Sequence, residues 1–274
     1  MKNTIGFLAI LTTAFGLVAD VSGADAKPQS LRVLCYNIHY GQGNDGVYDI
    51  PRLAEVIKAA KPDLVALQEV DVGVERSGRI HELRQLAKLT GMAARYGPTQ
   101  HYQGGLFGNA VLTRLPILDV AIHPLPYTEA TKEKVTYPRA AIVVTMRGPD
   151  GKPFRFISTH FQHGRFEEDR IAEAQAINKL FAGKDNKVPT ILAGDMNATP
   201  DSEPMKILHQ RWTNAIDDAA TFTGPSKAPK YRIDYVLYRP ASRFSLKHTE
   251  VIDERMASDH LPVFAILELQ PSKE

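Results

Sequence analysis

Short apolar runs alternate with helically spaced stripes along most of this chain, and the runs end repeatedly in polar side chains. Residues 31–38, rich in Leu, Val, Cys and Ile, read as a strand that stops at Asn37-Ile38-His39 before Gly41, Gly43 and Asn44-Asp45-Gly46. Pro51 in a first turn, then Leu53, Val56, Ile57 and Ala60, predict a helix that ends before Pro62. Residues 63–67 predict a second strand terminating at Gln68-Glu69, and 78–89 a second helix with Ile80, Leu83, Leu86 and Ala87 on one stripe and Gly91 as its stop. Strands follow at 109–113 and 140–146, with Leu115-Pro116-Ile117 turning into an edge segment between them. A strand at 154–158 ends at Thr159-His160; Ile171, Ala174, Ile177, Leu180 and Phe181 then mark one helix face that Gly183 closes.

The run Ile191-Leu192-Ala193 leads into Gly194-Asp195-Met196-Asn197, and Pro200 prevents the strand from continuing. An irregular stretch to about residue 230 precedes strands at 233–237 and 262–269. Strands outnumber helices, and helices recur between them, which predicts an α/β layered fold with one domain over 28–270. No internal repeat or low-complexity tract interrupts it.

Lys2, the apolar stretch 5–19 broken by Thr12, Thr13 and Gly16, and the small residues Ser22, Gly23, Ala24 and Ala26 have the form of a signal peptide, taken as residues 1–24. That stretch is shorter than the roughly 20 apolar residues of a spanning helix. The expectation is a secreted or periplasmic chain, monomeric, with no transmembrane segment after the leader. Its 33 basic and 31 acidic residues leave a net charge of +2, too little for an avid, sequence-blind nucleic-acid binder. A single cysteine, Cys35, excludes an internal disulfide framework and a cysteine zinc site.

The polar residues at strand ends supply the candidate chemistry. Asp195 and Asn197 stand two apart, so an extended backbone turns them to one side, where a carboxylate can act as a base and an amide can donate to a phosphoryl oxygen. The same four residues also fit a turn with a self-bonded Asx side chain. Taken singly, Gln68-Glu69 fits an exposed acid opening a loop, and Asn37 fits an Asx turn. Taken together with His160, Asp234 and Ser258-Asp259-His260-Leu261-Pro262, they form a set that folding alone does not require.

With Tyr36-Asn37, Leu67-Gln68-Glu69, Ser158-Thr159-His160, Gly194-Asp195-Met196-Asn197, Ile233-Asp234-Tyr235 and Ser258-Asp259-His260 in that order, the chain resembles the endonuclease/exonuclease/phosphatase superfamily of metal-dependent phosphoesterases. The resemblance implies a four-layer α-β-β-α sandwich of the deoxyribonuclease I kind. It implies Mg²⁺ or Mn²⁺ held by Glu69, Asn37 and Asp259. It assigns Asp195 to activating or orienting water, Asn197 and His160 to the phosphoryl oxygens, and Asp234 to fixing a charged His260 as proton donor. Arg76, Arg79 and Arg139 are candidate substrate contacts, as forked donors for a second phosphate or for specificity. Tyr102 and Asn109 are candidates for lining the cleft, whereas His39, His101 and His163 read as loop residues. The implied activity is hydrolysis of a phosphodiester, with a nucleic acid or a phospholipid head group as partner. The alternatives are a phosphomonoesterase acting on an inositol phosphate or another small phosphate ester, and a non-catalytic phosphate-ester binding module. A zinc hydrolase is disfavoured because it would want a compact histidine cluster such as two on one turn of an expected helix, and none occurs.

Overall fold

The computed structural model describes residues 27–132, 135–165, 167–216 and 221–272; the expected leader lies outside them. In chain order the elements are β1 (Gln29–Asn37), α1 (Ile50–Ala60), β2 (Leu64–Val72), α2 (Glu82–Thr90), β3 (Ala93–Tyr102), β4 (Gly105–Thr113), β5 (Ile117–Leu125), β6 (Arg139–Arg147), β7 (Pro153–His160), α3 (Glu168–Phe181), β8 (Thr190–Asp195), α4 (Glu203–His209), β9 (Thr213–Asn214), β10 (Asp234–Arg239), β11 (Phe244–Val251) and β12 (Val263–Leu269). They build two six-stranded sheets, β11-β12-β1-β2-β4-β3 and β5-β6-β7-β8-β10-β9. Among the described residues no helix is long and apolar enough to cross a membrane.

Central strands are apolar on both faces because each face meets a different layer. Along β1, Val33 and Cys35 join the cluster between the sheets, with Ala66, Phe156, Ile191, Val236 and Val263, while Leu34 and Tyr36 face outward. There they meet Leu53, Ile57, Leu83 and Leu86 of α1 and α2. On the other side Ala174, Ile177, Phe181, Met205 and Leu208 of α3 and α4 cover Ile157, Leu192 and Leu237. The result is the expected α-β-β-α sandwich.

The helix ends follow local chemistry. Asp49 caps α1 by accepting from Arg52 N at 2.9 Å, and the last turn of that helix gives its carbonyls at Ala60 and Lys61 to the Arg32 guanidinium. The helix expected from residue 78 starts only at Glu82, capped by His81; 73–81 form a loop in which Arg79 adopts a left-handed backbone.

Edge strands escape the apolar pattern. β3 is mostly half-exposed and contains Gly97 and Pro98, and β11 exposes Lys247 and His248; both are edges, where polar residues and proline are tolerated. Leu180, expected on the buried stripe of α3, is exposed, and that helix buries Asp169, Arg170 and Glu173 instead.

No repeat is legible in the sequence, yet the two sheets share one plan. Each is centred on a parallel pair joined through a helix, β1-α1-β2 and β7-α3-β8, and β2 is followed by β4 then β3 as β8 is followed by β10 then β9. The carboxyl ends of those two central pairs meet, and the polar strand-end residues meet with them. Gly194 allows β8 to lie close to β7, since a Cβ there would stand 2.2 Å from Thr159 O.

Candidate active site

Asn37, at the end of β1, ties the two sheets together. Its Nδ2 donates to Glu69 Oε1 and to Asp195 Oδ2, both at 3.1 Å, while its Oδ1 accepts from His39 N. Glu69 is not at a strand end. β2 runs on to Val72, and its pairing with β4 slips between Leu67 and Val70, so Gln68 and Glu69 form a bulge. The bulge sends Gln68 between the sheets, where it donates to Ser158 Oγ at 3.1 Å, and turns Glu69 into the pocket with φ of +56°. A glutamate in the left-handed region is strained, and such strain collects at functional sites.

Asp195 lies opposite Asp234 across β8–β10 and opposite His160 across β7–β8. Its Oδ1 accepts from Asn197 N at 2.8 Å, so the Asx turn and the candidate site are the same structure. Its Oδ2 faces Asn37 Nδ2, His160 Nε2 at 3.4 Å and His260 Nε2 at 3.8 Å. Burial raises its pKa, and the charge of Asp234 raises it further.

Asp234 Oδ2 accepts from His260 Nδ1 at 2.8 Å. Burial alone would lower the imidazole pKa, but the Asp234 charge and this hydrogen bond outweigh it and leave the ring well above its ordinary value. His260 is therefore an imidazolium at neutral pH, with Nε2–H toward Asp195. His160 behaves oppositely: burial, then Arg139 and His260, hold it well below the usual value, hence neutral. Asn197 Nδ2 donates to Phe161 O at 3.1 Å and lies 3.0 Å from His160 Nε2, which also stands 3.4 Å from Asp195 Oδ2. His160 thus packs against the Asn197 amide, and it lines the pocket where the sequence placed a contact to the phosphate.

Two donor sets bear on a cation. Asp195, Asp234 and His260 offer ligand atoms within 4.8 Å of one another; Asp234 Oδ2 is bonded to His260 Nδ1, and Asp234 Oδ1 has no partner among the described residues. Glu69 and Asp259 offer the carboxylate oxygens a hard divalent ion takes, while Asn37 turns Nδ2 toward Glu69 and its Oδ1 accepts from His39 N. Asp259 fits that use: its side chain is 42% exposed, the nearest basic side-chain nitrogens are those of His39 and His260 at 3.8 and 4.0 Å, and its buried Oδ1 has no hydrogen bond among the described residues.

Glu69, Asp195, Asn197, His160 and His260 line a pocket of about 300 Å³ together with Arg76, Gln100, Tyr102, Phe107, Tyr137, Arg139 and His163. Arg139 begins β6 and is 5% exposed, yet no carboxylate pairs with it and its Nε has no partner among the described residues. Burial lowers its pKa against the pull of Glu173, Glu69 and Asp195. Arg76 also reaches the pocket, but Arg79 does not: its side chain is 59% exposed and paired with Glu75 at 2.8 Å. Asn109 is not in the cleft either; it donates to Ala140 O at 2.9 Å between the sheets.

Four lining residues, Gln100, Phe107, Tyr137 and His163, were not among the sequence candidates. His163, read as a loop residue, stacks on Tyr137 with centroids 5.4 Å apart, and Gln100 and Phe107 face each other on the β3–β4 hairpin. Gly104-Gly105 between aromatic strands was the available signal for that hairpin.

Residues 34–260 match the model of the Endonuclease/Exonuclease/phosphatase family. The Escherichia coli K12 protein YbhP, itself uncharacterized, is 28% identical over 258 residues, 88% of this chain and 97% of that one. An endonuclease/exonuclease/phosphatase structure from Beutenbergia cavernae superposes with a TM-score of 0.67 at 26% identity, over 88% of this chain and 72% of its own. A mannosyl-6-phosphatase from Bacteroides thetaiotaomicron shares the fold with a TM-score of 0.69 at 20% identity, over 86% and 99% of the two chains.

Proposed function

The chain belongs to the endonuclease/exonuclease/phosphatase family, whose members are hydrolases of phosphate esters, and we propose that it is a divalent-metal-dependent phosphodiesterase. The observation that carries this reading is the convergence of the Asp234–His260 pair, Asp195 and the Asn197–His160 pair on one pocket beside the unpaired Arg139. Asp195 is the base: it accepts a proton from water as the water oxygen bonds phosphorus and the P–O bond to the leaving group breaks, the departing alkoxide taking a proton from solvent to leave as the alcohol. His260 Nε2–H donates to the phosphoryl group, and Arg139 and the Asn197 amide balance charge on its oxygens. Mg²⁺ or Mn²⁺ held by Glu69, Asp259 and Asn37 would neutralise charge on the phosphate.

A diester is favoured because the pocket has two different walls. Arg76, Tyr102 and Phe107 come from the first sheet and its loop, and the Tyr137–His163 stack comes from loops of the second, one wall for each ester substituent. The leader pattern in the sequence supports action outside the cytoplasm. The test is release of p-nitrophenol from bis-p-nitrophenyl phosphate and from p-nitrophenyl phosphate with Mg²⁺, with Mn²⁺ and with EDTA. EDTA-sensitive turnover of the diester is expected; turnover of the monoester alone, or none in any metal, would overturn the reading.

A further inference from the structure

Arg76 is held far more firmly than a surface loop requires. Its Nε and Nη2 donate to the two oxygens of the fully buried Asp71 at 2.8 and 3.0 Å, and its backbone N–H donates to Gln103 Oε1. The guanidinium lies 3.6 Å from the ring centroid of Tyr40, with Tyr102 and Phe107 at 4.8 and 5.3 Å. Nη1 meets no acceptor among the described residues, and the side chain lines the pocket. The group therefore offers one donor edge in one orientation, already ordered before any ligand arrives.

Charge decides what that edge selects. Asp71 neutralises the guanidinium at contact distance without intervening water, and the carboxylate of Glu69 stands nearby in the same pocket. Arg79, which would complete a two-arginine clamp, does not line the pocket and is paired with Glu75. A second phosphate thus meets no net positive charge here. A hydroxyl suits the site better: it accepts from Arg76 Nη1, and the Gln100 amide offers both a donor and an acceptor. Gln100 and Tyr102 stand two apart on β3, and Phe107 is the pairing partner of Gln100, so the amide adjoins apolar ring surface.

We infer that Arg76, Gln100, Tyr102 and Phe107 form a leaving-group subsite for a neutral, hydroxyl-bearing ring of the sugar or cyclitol kind. This rests on the phosphoesterase reading above. The shared chemistry has several sources, a free sugar phosphate, a ribose in a nucleotide chain or an inositol head group, and the substrates tested separate them.

The experiment compares the full chain with Arg76→Lys, which keeps a charge opposite Asp71 but loses the fork. It also uses the double variant Arg76→Gln with Asp71→Asn, which leaves no unpaired buried carboxylate; circular dichroism and thermal melting verify that each folds. The readout is kcat/KM on glucose 6-phosphate, a dinucleotide and glycerophosphoinositol, each divided by kcat/KM on bis-p-nitrophenyl phosphate. In both variants the ratio for at least one polyol ester is expected to fall by about tenfold or more, as when a site built to hydrogen-bond a hydroxyl loses its partner. The ester most affected identifies the source. Ratios that do not move in any arm overturn the subsite, as does an Arg76-dependent preference for fructose 1,6-bisphosphate over glucose 6-phosphate. Should the wild type turn over nothing, the catalytic reading fails by itself and calorimetric binding decides the subsite. Tighter binding of a polyol ester than of inorganic phosphate, lost in both variants, sustains it; equal binding of the two refutes it.

Discussion

His260 Nδ1 stands 2.8 Å from Asp234 Oδ2, both side chains almost wholly buried, with His260 Nε2 directed at Asp195. The carboxylate holds the ring charged and fixes which nitrogen faces the pocket. His260→Ala and Asp234→Ala therefore remove one shared function, and the double variant is expected to turn over little more slowly than the worse single. Activity should fall as pH rises through the raised pKa of His260, and Asp234→Asn should move that fall to lower pH. Additive losses with an unmoved alkaline limb would separate the two residues.

Glu69 sits at φ of +56° in the β2 bulge. Glu69→Gln is expected to weaken Mn²⁺ binding at least tenfold in a calorimetric titration while the melting temperature holds. Glu69→Gly should also lose the metal, yet stay within about 1 kcal/mol of wild-type stability, because relief of the left-handed strain offsets the added chain entropy.

Asp195→Asn should lower kcat by roughly a hundredfold or more, the worth of a positioned base. Asn197→Ala should do the same, with Asn197→Gly as the control for the positive φ of +45° at that position. Steady-state kinetics decides: a loss confined to KM would show ground-state binding only.

Arg139 is an arginine buried without a paired carboxylate among the described residues, so it costs stability where it stands. Arg139→Met is expected to raise stability by about 1–3 kcal/mol in chemical denaturation while lowering kcat/KM at least tenfold. A destabilised variant with normal kinetics would make Arg139 a structural residue.

Glu173 and Glu82 are buried carboxyls whose pKa values burial raises to about 8. An unfolded glutamate loses its proton near pH 4.3. Between that value and about 8 the folded chain holds more protons than the unfolded one, so stability falls as pH rises, by up to about 1.4 kcal/mol per pH unit for each group. Melting curves of the metal-free chain from pH 5 to 9 should show this decline, and Glu173→Gln should flatten it. A variant with the wild-type slope would mean that Glu173 is ionised in the fold.

The central strands were legible in the chain because burial on both faces demands unbroken apolar runs, and the residues that break those runs at Asn37, His160, Asp195 and Asp234 stood out for the same reason. Their residue types already announced a carboxylate, an amide and an imidazole at converging strand ends. What the sequence could not show depends on neighbours distant along the chain. Asn37 bonds to Asp195 across 158 positions, the Glu69 bulge exists only against β4, and α3 buries charged residues that a helical stripe would turn outward. The edge strands β3 and β11 carried no apolar signal because one side of each meets water. Arg76, Arg79 and Arg139 looked alike in one dimension; burial and the presence or absence of a carboxylate partner, set only by tertiary contacts, made one a braced wall, one a surface ion pair and one an unpaired cation.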